Sequence, residues 1–134
     1  MSAKVNPVER VHLWGNALLA RSAVVTEAEV RDMWTEDGSM IVNGQLKCSG
    51  IVALARHFEE LRTKLKSAHV QLPYIMSIES ESAIAARYVI DIEHINGTRD
   101  KIHVGAFFGI REGKIQIMDE VVWFENTEIA LEKH

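Results

Sequence analysis

Apolar and polar positions alternate most regularly between Ala83 and Phe124, where three runs rich in Val, Ile, Tyr, Phe and Trp are punctuated by Asn96-Gly97 and Glu112-Gly113. A period of two with X-Gly pairs between the runs predicts three long strands joined by two tight turns. Upstream the apolar period changes to three and four. Val8, Val11, Trp14, Leu18 and Leu19 share one face of a helix opening at Pro7, whose missing N–H costs nothing in a first turn. Gly15 weakens this helix by about 1 kcal/mol relative to Ala, or admits a close neighbour. Thr26 and Glu29 stand at capping-box spacing with Val25 and Val30 as a hydrophobic staple, so a short helix is predicted from Glu27 to Trp34. Ile51, Leu54, Ala55, Phe58, Leu61 and Leu65 define a third helix, capped by Ser49, with Glu59, Glu60, Arg62, Lys64 and Lys66 on its wet face.

Shorter signals fill the gaps. Glu36-Asp37-Gly38 reads as a turn and Ser39 to Asn43 as a brief strand, and Asn43-Gly44 turns into a loop that ends at Ser49. Ala68 to Ser80 reads as a strand broken or bent at Pro73, which places it on an edge or at a bulge. Residues 1–6 and 127–134 are expected to be flexible ends of one domain spanning 1–134. Helix, helix, short strand, helix and a four-stranded meander make an α+β domain with helices on one sheet face. Strong curvature of that sheet would leave a conical cavity under the helices.

Composition removes several classes of function. The 134 residues carry 15 basic and 19 acidic side chains, a net charge of -4 with no basic block, which argues against nucleic acid and anionic membrane surfaces. The longest apolar runs are too short to span a bilayer, and the first ten residues lack a signal-type stretch, so a cytoplasmic location is expected. Cys48 is the single cysteine and has no evident base beside it, the pattern of a bystander thiol. Histidines at 12, 57, 69, 94, 103 and 134 form no compact ligand set, so neither a metal nor a cofactor is expected.

Met33-Trp34-Thr35-Glu36-Asp37-Gly38-Ser39 after a helix pair, Cys48-Ser49-Gly50-Ile51 opening a third helix, and Arg111-Glu112-Gly113-Lys114-Ile115 turning into the last strand are similar to segments of the SnoaL-like, nuclear-transport-factor-two-like superfamily. The resemblance covers nearly the whole chain. It implies a cystatin-like cone, with three N-terminal helices packed on a strongly curved sheet around a pocket. Relatives include ketosteroid isomerase, polyketide cyclases, scytalone dehydratase, limonene epoxide hydrolase and pocketed proteins without known activity.

Register decides which side chains would share that pocket. Three-residue loops with Gly97 and Gly113 left-handed pair Tyr88 with Val104, Ala86 with Ala106, Val104 with Glu120 and Ala106 with Met118. One face is then nearly all apolar, with Glu120 and the Tyr88 phenol as its exceptions, flanking Val104 in one row. The other face is mixed and pairs Asp91 with Lys101. A two-residue turn at Asn96-Gly97 would instead turn Arg87 and Asp91 inward, and a two-residue last turn would put Asp119 in the place of Glu120.

A carboxylate on an apolar wall has a raised pKa, which prepares it for acid/base work. The resemblance implies the same role, because the acid seven residues past the turn glycine is catalytic in several relatives, and Glu120 stands there. Tyr88 would orient it or donate to a substrate oxygen. His69, in Ala68-His69-Val70, is similar to a working histidine in dehydratase-like members. Trp14, Trp34, Met40, Phe58, Val104 and Met118 are expected to line the pocket and suit a small apolar or aromatic ligand. The strand that carries the base in ketosteroid isomerase is here Met40-Ile41-Val42-Asn43, without an acid, so that activity does not carry over. Three functions stay open: a cofactor-free isomerase, cyclase, dehydratase or epoxide hydrolase; a binding module without turnover; and a dimerisation domain. Val89, Phe107, Ile117, Val121 and Trp123 on the mixed face predict a homodimer.

Overall fold

The helices form where capping chemistry and apolar spacing agree. In the computed structural model, which describes residues 5–125, α1 spans Pro7–Leu18 and buries Val8, Val11, His12 and Leu18. Its N-cap is Asn6, whose side chain accepts from the Glu9 N–H at 2.8 Å and also donates to Glu79, so Asn6 is held and not a loose end. Helix α2, Glu27–Met33, has the complete Thr26–Glu29 capping box, with Val25 and Val30 both buried. Helix α3, Ile51–Lys64, buries Ile51, Leu54, Ala55 and Phe58. Gly50, at φ 90°, occupies its N-cap without a side-chain bond, so Ser49 does not cap it.

The strands are β1 (Trp34–Val42), β2 (Gln45–Ser49), β3 (Leu65–Val70), β4 (Met76–Glu79), β5 (Ala83–His94), β6 (Arg99–Arg111) and β7 (Lys114–Phe124). They form one strongly curled sheet in the order β2-β1-β7-β6-β5-β3, with β4 also paired to β5. Only β1 and β7 run parallel. Residues 36–38 are strand and not turn. Gly38 is needed there because a Cβ would sit 3.0 Å from the Thr35 carbonyl oxygen and from the buried Trp34 ring. The segment after Asn43-Gly44 is a strand, paired antiparallel to β1. The stretch around Pro73 separates β3 from β4, and both lie along β5 as edge segments.

The first hairpin has the expected three-residue loop: the His94 N–H donates to the Thr98 carbonyl, and Gly97 has φ 90°. Tyr88 pairs with Val104 and Asp91 with Lys101. The second hairpin differs. Glu112 (φ 53°) and Gly113 (φ 74°) make a two-residue turn between Arg111 and Lys114, and a bulge between Gly109 and Ile110 then shifts the pairing by one. Glu120 consequently sits opposite Ala106, and Val122 opposite Val104. Turn and bulge together displace the expected register by two positions, which preserves the facing of every side chain because strand faces alternate with period two. Glu120 therefore stays on the helix-covered face and Asp119 does not replace it.

The core lies between that face and the helices, with Trp34, Tyr88, Phe108, Leu54 and Ile115 among its sealed side chains. Each buried Leu, Ile or Phe of this kind stabilises the fold by about 1.5–3 kcal/mol. Expectations for residues 1–4 and for 126–134 lie outside the described residues.

Candidate functional site

Among the described residues, Glu120 is the carboxylate that pairs with a phenol on the helix-covered face. Its strand is clamped at this point: the Asn43 N–H donates to the Glu120 carbonyl oxygen at 2.8 Å, and the Asn43 side chain bonds both backbone groups of Val122. The Tyr88 hydroxyl donates to Glu120 Oε2 at 2.7 Å. The two residues stand on β5 and β7, one pair apart across β6, so the contact runs diagonally over Ala106 and not along one row. Curvature of the sheet closes the distance and the small Ala106 leaves room for it. Burial raises the Glu120 pKa, while the Tyr88 hydrogen bond opposes the shift. Burial, and then the neighbouring carboxylate, raise the Tyr88 phenol well above its ordinary value, so it stays a donor.

A cavity of about 150 Å³ opens beside Glu120, lined by residues of α1 and α3 and by Met40, Ala68, Val70, Ile90 and Met118. Among the described residues its lining holds no Lys or Arg. Its second polar group is His12, which reading the sequence for acids and strand histidines missed. His12 falls one position after Val11 on the buried face of α1 and is 7% exposed. Its ring packs edge-on against Tyr88 (centroids 4.6 Å apart) and Tyr74 (5.6 Å), and its Nδ1 lies 2.8 Å from the Tyr74 hydroxyl. Burial lowers its pKa to about 4, so the imidazole is neutral at pH 7. A histidine on an apolar helical face was the available signal, four residues before Asn16, which exchanges two hydrogen bonds with the Val70 backbone that pin α1 to β3.

Neither Glu120 Oε1 nor His12 Nε2 makes a hydrogen bond among the described residues, and neither is sealed, because the one wholly buried side-chain N or O there without a partner is Trp34 Nε1. Both residues line the cavity. His57 also reaches it from α3, and burial lowers its pKa too. The arrangement offers an acid/base carboxyl, a neutral imidazole and an otherwise oily wall. Among the described residues no group of three His, Cys, Asp or Glu is placed to hold a metal.

Helices covering the concave face of a curled mixed sheet are matched in solved structures. The chain has the NTF2-like fold. An NTF2-like protein of unknown function from Exiguobacterium sp. 255-15 superposes with a TM-score of 0.72 at 16% identity, over 88% of this chain and 98% of that one. A putative SnoaL-like polyketide cyclase from Jannaschia sp. CCS1 gives 0.66 at 11%, over 97% and 94%. A protein with a ketosteroid isomerase-like fold from Catenulispora acidiphila DSM 44928, in complex with trimethylamine, gives 0.65 at 13%, over 87% and 85%. No family model matches the chain, and no curated protein matches it by sequence.

Within this NTF2-like cone the candidate residues separate. Met40, Phe58 and Met118 line the cavity with Glu120. Trp14 does not: its indole N–H donates to Glu29 at 3.0 Å and its ring meets Phe58 edge-on, joining α1 to α2 and α3. Trp34 and Val104 are wholly buried core. His69 is exposed on the opposite sheet face, opposite Asp91, because its neighbours Ala68 and Val70 take the inward positions of β3. It lines a larger outer groove of about 650 Å³ with Asp91, Glu93, Arg99 and Lys101. Two of its carboxylates are paired with cations: Lys101 bonds Asp91 at 2.6 Å, and Lys66 and Arg99 flank Glu93. Cys48 is buried and its thiol is pushed up by burial, so it is no nucleophile. No helix among the described residues is long and apolar enough to cross a membrane.

Proposed function

We propose that the chain is a cofactor-free enzyme that moves a proton on a small apolar ligand, with Glu120 as the acid/base. The observation that carries this reading is a carboxyl whose one side-chain partner among the described residues is a neutral phenol, in a cavity wall that holds no Lys or Arg among them. Desolvation holds its proton affinity closer to neutrality, where a group can both take and return a proton. The cavity volume suits a single ring. Tyr88 positions the carboxyl, and Met40, Phe58 and Met118 shape the space. The presence of a SnoaL-like cyclase among the structural neighbours fits this chemistry. Met76, Ile78, Phe107, Val121 and Trp123 are exposed on the outer face of the sheet, and we assign that face to a homodimer contact.

The test is solvent exchange. Cyclohexanone in D₂O is followed by proton NMR with wild type and Glu120→Gln, after native mass spectrometry has identified any co-purified ligand. Deuterium wash-in faster with wild type by about 100-fold or more supports the reading. Equal rates, or binding without exchange, replace the enzyme by a binding module of the same fold.

A further inference from the structure

We infer that Tyr74 and His12 form a positioning pair that turns His12 Nε2–H into the cavity as a fixed hydrogen-bond donor, so that the site selects uncharged ligands carrying one acceptor oxygen. The inference rests on the assignment of the cavity as the functional site, and not on whether Glu120 performs chemistry.

The argument starts from proton placement. The contact between Tyr74 Oη and His12 Nδ1 at 2.8 Å has two forms. If Nδ1–H donated, the phenol proton of Tyr74 would have no acceptor among the described residues, since His12 is the one hydrogen-bond partner found there for that hydroxyl. If the phenol donates, the imidazole carries its proton on Nε2, which has no protein acceptor among the described residues and is left for a ligand. A phenol O–H is a stronger donor than a neutral imidazole N–H, and an imidazole nitrogen a better acceptor than a phenol oxygen, so the second form wins. Burial, and then the nearby Glu9 carboxylate, hold the Tyr74 phenol well above its ordinary value, which keeps it a donor at any ordinary pH, and burial holds His12 neutral. Tyr74 is itself carried by the backbone next to it, where the Ile75 N–H donates to the Arg87 carbonyl at 2.9 Å.

The ligand class follows from what the wall offers. One station donates, at His12 Nε2–H. An acceptor station is the free Oε1 of Glu120; among the described residues no Lys or Arg lines the space, and burial holds the His57 imidazole, which also lines it, away from the charged form. An anion would meet a carboxyl and oily walls with nothing to neutralise it, and desolvating it there is expensive. A neutral ring ketone satisfies His12 and buries the rest of its surface. The lining amide of Asn16 does not compete, because both of its polar atoms are spent on Val70.

The experiment uses the full-length protein labelled with ¹⁵N-histidine. Long-range ¹H–¹⁵N correlation at pH 7 should show His12 as the Nε2–H tautomer, and Tyr74→Phe should convert it to a tautomer mixture without unfolding the protein. Cyclohexanone should move the His12 Nε2 resonance in wild type and also in Glu120→Gln, which separates this inference from the acid/base role of Glu120. Tyr74→Phe should weaken cyclohexanone binding by several-fold and His12→Phe by about tenfold, the size of one neutral hydrogen bond. Cyclohexanecarboxylate at the same concentration should leave the resonance in place. An Nδ1–H tautomer or an imidazolium in wild type overturns the proposal. So does tighter binding of cyclohexanecarboxylate or of cyclohexylammonium than of the ketone.

Discussion

Glu120 and Asp91 lie on opposite faces of one sheet, each as a carboxylate with a hydrogen-bonding neighbour, and their surroundings drive them in opposite directions. Asp91 accepts from Lys101 Nζ at 2.6 Å and from Gln71 at 2.9 Å, and these bonds, led by the Lys101 one, lower its pKa. Glu120 has a phenol instead of an ammonium and an apolar wall instead of solvent, and burial raises its pKa. The difference is not residue type or strand position. It is whether a cation shares the site. The outer groove is larger than the inner cavity, yet its Asp91 is held ionised by Lys101, and a carboxylate held that way is poorly placed to exchange a proton near neutral pH.

Turnover separates the two faces most widely. Glu120→Gln should reduce solvent exchange of cyclohexanone by about 10²–10⁴-fold, the usual contribution of a positioned acid or base, while Asp91→Asn should leave it within twofold. Comparable losses at both positions would show that the sheet as a whole, and not the inner carboxyl, governs the activity.

Acid titration of stability comes next. Unfolded His12 takes a proton near its ordinary 6.5, whereas folded His12 takes one only at about 4. Between those values the unfolded chain holds more protons, so stability is intact above 6.5 and falls as pH drops through the window. The gap corresponds to about 3 kcal/mol. Urea unfolding of wild type minus His12→Gln should show a change of that order between pH 7 and pH 4. A flat difference would place His12 in contact with water.

Much of this was legible in the sequence for identifiable reasons. The capping box at Thr26 and Glu29, the period of α3 and the Asn96-Gly97 loop are local signals, and the chain obeys them. The facing of Glu120 also held, although for a different reason: a shorter turn and a bulge at Gly109 and Ile110 compensate each other. A bulge leaves no mark in composition. His69 was misplaced because alternation in β3 puts Ala68 and Val70 inside. His12 was overlooked because its partner Tyr74 is 62 positions away, in a segment between strands that no periodicity positions. Trp14 and Trp34 were assigned to the cavity by size, but an indole N–H bonded to Glu29 and a ring under Gly38 keep them in the core.

The outer face supplies a third contrast. Arg87 lies over the Trp123 ring at 5.6 Å and His103 stacks on it, yet Trp123 remains 45% exposed. Trp123→Glu should shift a dimer to monomer in sedimentation at micromolar concentration, without changing cyclohexanone binding in the cavity. A wild type already monomeric at that concentration would remove the dimer assignment.

The smallest effects are the most diagnostic, because the same amide swap should change sign between the faces. Unfolded Glu120 ionises near 4.5 and the folded group only above that, so the folded chain loses stability as pH rises through the window. Glu120→Gln keeps an acceptor for Tyr88 and removes the buried charge, and should therefore be more stable than wild type at pH 7 to 8, with the gain vanishing below pH 4. Asp91 is the reverse case. Its contribution is present above its ordinary 3.8 and disappears as pH falls through the depressed value. Asp91→Asn should thus be less stable at pH 7, by under about 1 kcal/mol, because both partners of its ion pair are more than 40% exposed and solvent screens them. Thermal melts of both variants across pH 3 to 8 decide the matter. Two curves that diverge in opposite directions from a common acid limit locate the unmatched charge on the inside of the cone, and two curves of one sign would mean that Glu120 has a cation after all.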